Sequence, residues 1–131
     1  MYNIETIEIE VTTICNAYCP VCIRYRALDD GLFINPAARI NQTLDPALID
    51  TIFNSDKMSD NICVDLIGTS GEPLAHPCIL DIVREILKYK PNAMINIHTN
   101  GGLKSKAFFI KAINISKIAL KRLRTLIFFD R

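Results

Sequence analysis

The amino-acid sequence predicts an α/β fold: a parallel sheet with helices outside, built from about three βα units plus a fourth strand. Stretches with the period of a strand alternate along the chain with stretches of helical period. Each of the first three strand-like stretches ends in a loop rich in cysteine, glycine, proline or asparagine, and no internal repeat or low-complexity linker interrupts the order. A βαβαβαβ order calls for parallel strands joined by right-handed crossovers, with the helices covering the sheet.

Each element has a local cause. From Glu5 to Thr12 the chain alternates, with Ile7, Ile9 and Val11 on one side and Thr6, Glu8, Glu10 and Thr12 on the other, which predicts the first strand. After a cysteine-bearing loop, Arg24 to Thr43 is polar and lacks a sustained period. Asp45-Pro46 then predicts a helix start as N-cap and N1, with Leu48, Ile49, Ile52 and Phe53 as its buried stripe. Ile62 to Ile67, rich in branched residues, predicts the second strand, closed by the turn-forming run Gly68-Thr69-Ser70-Gly71-Glu72-Pro73. From Pro77, the residues Ile79, Leu80, Ile82, Val83, Ile86 and Leu87 predict a second helix that stops before Pro91. Met94 to His98 predicts a third strand ending in Thr99-Asn100-Gly101-Gly102. A third helix is expected from about Ser105 with Phe108, Phe109, Ala112 and Ile113, and a fourth strand from Thr125 to Phe129.

With 131 residues, 50% hydrophobic and 22% charged, the composition fits one globular domain with a real core and excludes a disordered chain. The start Met1-Tyr2-Asn3-Ile4-Glu5 lacks the basic and apolar regions of a signal peptide, and no run approaches a membrane span. The expectation is a soluble, cytoplasmic protein without a membrane partner. Five cysteines, three crowded into one loop and two (Cys63 and Cys78) in apolar surroundings, do not resemble a disulfide framework. Residues 1–81 carry 4 Lys/Arg against 12 Asp/Glu, and residues 84–131 carry 11 against 2. The basic residues of the second half are interleaved with apolar ones, as on a solvated helix face, so they give no clear nucleic-acid signal.

In (βα) architectures the loops at the C-terminal ends of the strands carry the chemistry. The cysteine loop, the Gly-Glu-Pro turn and the Thr-Asn-Gly-Gly turn are therefore expected on one face. The strand interiors add a second clue, because fully buried parallel strands read as continuous apolar runs. Here Glu8, Glu10, Asp65, Asn96 and His98 interrupt them. Either these residues face a wet or ligand-filled interior, or the sheet is open and they face solvent.

The spacing Cys15-x3-Cys19-x2-Cys22 is the sharpest single signal. Three thiolates this close suit a tripod for an iron-sulfur cluster, and a four-iron cubane held by three of them keeps one iron open. Zinc is the competing reading, but neither histidine lies close in sequence to complete a tetrahedral site.

Taken together, Cys15-Asn16-Ala17-Tyr18-Cys19-Pro20-Val21-Cys22, then Gly71-Glu72-Pro73-Leu74 with His76-Pro77, then Thr99-Asn100-Gly101, resemble the radical S-adenosylmethionine (radical SAM) superfamily. The resemblance spans roughly residues 5 to 102, with three motifs in the expected order. It implies a partial TIM-type (βα) barrel in which Cys15, Cys19 and Cys22 bind a [4Fe-4S] cluster and S-adenosyl-L-methionine chelates the fourth iron. Reductive cleavage would release a 5′-deoxyadenosyl radical that abstracts a substrate hydrogen, after electron delivery by a reductant such as flavodoxin or ferredoxin. Tyr18, Val21, Gly71, Glu72 and Asn100 are the cofactor-binding residues it implies. The Gly71-Glu72 segment would receive the methionine ammonium, with Glu72 alternatively fixing its own loop. Asn100 would reach ribose or carboxylate, or serve only as an Asn-Gly turn residue.

Val21 stands where the family often has an aromatic residue against adenine, and Ser70 where a first glycine is common. His98 ends a strand and could touch substrate or cofactor, or be a satisfied strand-end histidine. Arg24 and Arg26 follow the cluster loop, either steering an anionic substrate or lying on the surface. At about 30 residues per βαβ unit, a six-unit barrel needs on the order of 200 residues. Residues 1–131 are thus expected to be the N-terminal portion of a core domain, without a second domain: a truncated gene product or one part of a split enzyme, with a possible partner chain completing the barrel. The alternative is a non-catalytic iron-sulfur or metal-binding module. The substrate is not legible.

Overall fold

The computed structural model describes residues 3–19, 22, 41–118 and 127–128, the side chains of 116–118 and 127–128 excepted. The order is β1 (Ile4–Glu10), α1 (Leu48–Phe53), β2 (Met58–Ile67), a 3-10 turn (Pro73–Ala75), α2 (Ile79–Tyr89), β3 (Met94–Thr99), α3 (Lys106–Ile118) and β4 (Ile127–Phe128). The four strands form one sheet in sequential order, β1-β2-β3-β4, and every pairing is parallel. This is the α/β architecture of successive βα units that the alternating periods predict.

Register explains which side chains meet. Ile7 lies beside Val64 and Val64 beside Ile95, while on the opposite face Glu8 lies beside Asp65 and Asp65 beside Asn96. The first row belongs to the core, where Ile9, Val11, Ile62, Val64, Leu66 and Ile95 cluster with Ile49 and Phe53 of α1 and Ile79, Ile82 and Ile86 of α2. Phe108, Phe109, Ala112 and Ile115 of α3 pack against the same cluster, so all three helices cover one face. Burying a side chain such as Leu66 or Ile82 stabilises by about 1.5–3 kcal/mol before chain entropy is counted. The polar row, Glu8, Asp65 and Asn96, with His98 beyond it, occupies the opposite face, which none of the described helices covers.

Several boundaries differ from the sequence expectation. β2 begins at Met58, not Ile62: Ile4 pairs with Met58 and Thr6 with Cys63, and the register shifts between these two pairs. Polar Ser59, Asp60 and Asn61 lie within that shift. Asp45-Pro46 opens a turn ahead of α1: the Asp45 carboxylate accepts from the Ala47 N–H at 3.0 Å and its carbonyl from the Leu48 N–H at 3.0 Å. The helix itself starts at Leu48. β3 extends to Thr99, and β4 covers only Ile127–Phe128 among the described residues.

Residues 41–44 brace the end of β1. Thr12 and Thr43 form an antiparallel bridge, the Leu44 N–H donates to the Val11 carbonyl at 2.8 Å, and the Thr12 hydroxyl donates to the Gln42 carbonyl at 2.8 Å. His76 joins this brace to the base of α2. It is 1% exposed; its Nε2 meets the Leu44 carbonyl at 2.7 Å and its Nδ1 accepts from the Cys78 N–H at 3.0 Å. Because Leu44 offers an acceptor and Cys78 a donor, the ring proton belongs on Nε2. Replacing His76 by alanine is expected to lower the unfolding free energy by about 3 kcal/mol, since two buried backbone groups lose their partners. Urea denaturation checks this, and a loss below about 0.5 kcal/mol would show the brace to be dispensable.

Candidate functional site

Three loops meet at the C-terminal ends of β1, β2 and β3. The meeting is made by hydrogen bonds between the loops themselves. The Glu72 N–H donates to the Ile14 carbonyl at 2.8 Å, tying the loop after β2 to the chain leading into the cysteines. The Asn100 side-chain amide donates to Asn16 Oδ1 at 2.9 Å, tying the loop after β3 to the cysteine loop itself.

Glu72 is the hub. It is 3% exposed, and its carboxylate accepts from the Leu74 N–H at 3.1 Å, from the Thr99 hydroxyl, and from the Asn100 N–H at 2.7 Å. Of its two sequence readings, loop fixing is the one these three bonds express. Thr99, which sequence reasoning did not single out, is buried and also accepts from the Gly101 N–H at 3.0 Å. Its only sequence signal is its position immediately before Asn-Gly.

Of the two roles expected of Asn100, the turn role is the one seen, and its amide fastens a neighbouring loop. Its Oδ1 accepts from the Gly102 N–H at 2.9 Å, the bond of an Asx turn, while its amide reaches Asn16. Gly101 follows with φ of 70°, a left-handed conformation that an L side chain strains to adopt. Gly71 answers a different demand: a Cβ there would lie 2.0 Å from the Thr12 carbonyl oxygen, so only glycine lets the two backbones touch.

The loops enclose a cleft of about 480 Å³, lined by Cys15, Cys19, Cys22, Gly71, Glu72 and Asn100 among others. That volume lies within the range of small-molecule and cofactor sites. Cys15 and Cys22 are half-buried and Cys19 is exposed; all three are free thiols. The Cys22 N–H donates to the Cys19 carbonyl at 3.0 Å, and the Ala17 N–H to Cys15 Sγ at 3.4 Å, which shape the loop locally. Tyr18 is 77% exposed beside them. Val21, Arg24 and Arg26 lie outside the described residues.

Of the polar strand residues, Glu8 and His98 line the same cleft. Glu10 is exposed and accepts from the Ser70 N–H at 3.3 Å. Cys63 lies outside the cysteine loop, half-buried on β2, and burial pushes its thiol up, with the Asp65 carboxylate adding to the effect and the Asn96 amide opposing it. It is therefore a poorer thiolate source than an unperturbed cysteine. Among the described residues, no three His, Cys, Asp or Glu side chains converge closely enough to hold one metal ion. No helix among them is long and apolar enough to cross a membrane.

The family profile described as the radical SAM superfamily matches residues 9–121, which includes all three motif loops. This chain belongs to the radical SAM superfamily. Members of the superfamily generally use a [4Fe-4S] cluster, S-adenosylmethionine and a reductant. Among solved structures, the fold is similar to the crystal structure of BtrN in complex with AdoMet and 2-DOIA, with a TM-score of 0.65 and 21% identity over 88% of this chain. The match covers 44% of that protein, so the radical SAM chain described here spans less than half its length. No individually curated protein matches. The shared fold is that of part of a TIM-type barrel, the architecture the parallel sheet and its loops express.

Proposed function

We propose that residues 1–131 form the N-terminal part of a radical SAM enzyme core in which Cys15, Cys19 and Cys22 hold a [4Fe-4S] cluster and the loops after β2 and β3 receive S-adenosylmethionine. The observation that carries this reading is the meeting of three free thiols, Gly71-Glu72 and Asn100 around one cleft of about 480 Å³. The donor set fits the group: thiolates are the usual ligands of such clusters. When bound, the reduced cluster and S-adenosylmethionine supply a 5′-deoxyadenosyl radical able to abstract a substrate hydrogen.

The chain's own residues supply position. Glu72 spends its carboxylate on Leu74, Thr99 and Asn100, and the Glu72 and Pro73 carbonyls accept from the Ala75 and His76 N–H groups, so the carbonyls that precede Glu72 in the loop are the ones to accept from the methionine ammonium. Asn100 has its backbone held by Glu72 and its amide by Asn16, so it borders the cleft in one orientation. Tyr18 offers a largely exposed ring beside the thiols. An external reductant such as flavodoxin or ferredoxin would deliver the electron in a reducing, cytoplasmic setting. Further strands, in the same or a partner polypeptide, would complete the barrel and most of the substrate pocket.

Anaerobic reconstitution with iron and sulfide, followed by reduction and assay for 5′-deoxyadenosine, tests the reading. The parent chain is expected to take up four irons per chain and Cys19→Ala to take up far less. Iron without 5′-deoxyadenosine would favour a non-catalytic module or an incomplete barrel. Zinc bound in place of iron would overturn the reading.

A further inference from the structure

Outside the three motifs, the face of the sheet opposite the described helices carries a joined set of side chains. Asp65 Oδ1 accepts from the Asn96 amide at 2.7 Å and faces His98 Nε2 at 3.3 Å. The same Asn96 amide lies 3.5 Å from Cys63 Sγ, which fixes its orientation. Because Asp65 presents an acceptor, the neutral ring carries its proton on Nε2 and keeps the lone pair of Nδ1. Nδ1 has no partner among the described residues, and the His98 side chain, 33% exposed, lines the cleft.

Both sides of this histidine are held. Its ring is fixed by Asp65, and its backbone precedes Thr99, which is locked to Glu72 at the cofactor end. The neighbouring charged group on the same face is Glu8, beside Asp65 in register and also lining the cleft. An apolar ligand against this wall would strand the Nδ1 lone pair and the Glu8 carboxylate without partners, which disfavours its binding. A ligand bearing O–H or N–H groups would satisfy them.

We propose that His98 Nδ1 is a hydrogen-bond acceptor for a hydroxyl or amino group of a small polar substrate, with Asp65 as its positioning residue. The proposal rests on the cleft being a cofactor and substrate site, but its test does not require the cluster. The imidazole nitrogens of the iron-free chain are followed by 15N NMR while myo-inositol, glucosamine or octanoate is added. His98 is identified by His98→Gln.

The expected result is a saturable shift at His98 Nδ1 with myo-inositol and glucosamine in the millimolar range, and none with octanoate. Asp65→Asn, whose amide can donate to Nε2 and so invert the tautomer, is expected to weaken that response about tenfold. His98→Gln checks it by losing the binding measured by calorimetry, with melting curves showing that both variants fold; if one does not, the other carries the test. No shift with either polar probe, an equal shift with octanoate, or unchanged binding in Asp65→Asn would overturn the proposal. A His98 response in a chain that never binds iron would fail the cluster reading alone, whereas a loaded cluster without a His98 response would fail this one alone.

Discussion

Replacing Gly71 by alanine is expected to destabilise the protein by about 3 kcal/mol or more, a fall in melting temperature of roughly 10 °C, or to prevent soluble folding. The added methyl would sit 2.0 Å from the Thr12 carbonyl oxygen and 3.0 Å from the Thr13 Cα. Neither is the end of a flexible side chain. Thr12 is held by its bridge to Thr43, its hydroxyl bond to Gln42 and the adjoining Leu44 to Val11 bond, so it has little freedom to retreat. The loop after β2 would have to lift, breaking the Glu72 to Ile14 bond. Gly68→Ala should act at the same contact, because its Cβ would lie 2.0 Å from the Gly71 carbonyl oxygen, and the two losses should not add. Thermal melts of the single and double variants check this. An alanine variant melting within about 2 °C of the parent would refute the close-packed loop.

The second large effect is expected from Glu72→Ala, at about 3–4 kcal/mol. Three donors, the Leu74 N–H, the Asn100 N–H and the Thr99 hydroxyl, converge on a carboxylate that is almost fully buried. Removing it leaves buried donors unpaired, each a cost of about 1–3 kcal/mol before relaxation or water entry reduces it. Glu72→Gln should recover part of the loss, because the amide keeps one acceptor oxygen but turns a donor towards other donors. A cycle with Thr99→Val should show about 1–2 kcal/mol of coupling. Hydrogen exchange adds a readout specific to the clamp: the Leu74, Asn100 and Gly101 amides should lose protection together while those of α2 keep theirs. Independent behaviour of the three amides would contradict a common hub.

How far the sequence reveals this protein depends on the range of the interaction. β1 is legible because Ile7, Ile9 and Val11 alternate with polar residues, and the polar face they imply is present. α2 is legible because its apolar positions follow a helical period up to a proline stop. The first four residues of β2 are not, since Ser59, Asp60 and Asn61 have no strand signal and lie where the register with β1 shifts between the Ile4–Met58 and Thr6–Cys63 pairs. The three loops are legible as motifs, and their convergence follows from parallel topology. Their mutual bolts are not. Thr99, Asn16 and His76 act on partners 27 to 84 residues away, and no local pattern announces such a contact. Alternation alone could likewise not say which face carries the helices; the described helices lie opposite Asp65 and His98.

The bond between Asn16 and Asn100 spans 84 residues of sequence, and it sets a clock. At synthesis rates of about 5–20 residues per second, the cysteine loop leaves the ribosome roughly 4–17 s before the asparagine that fastens it exists. For about the first two-thirds of that interval the thiols have neither the loop after β2 nor the loop after β3 as neighbours, and for the rest only the loop after β2 has been made. Order of manufacture thus makes the cluster loop the first part of the site to be born and the last to be enclosed.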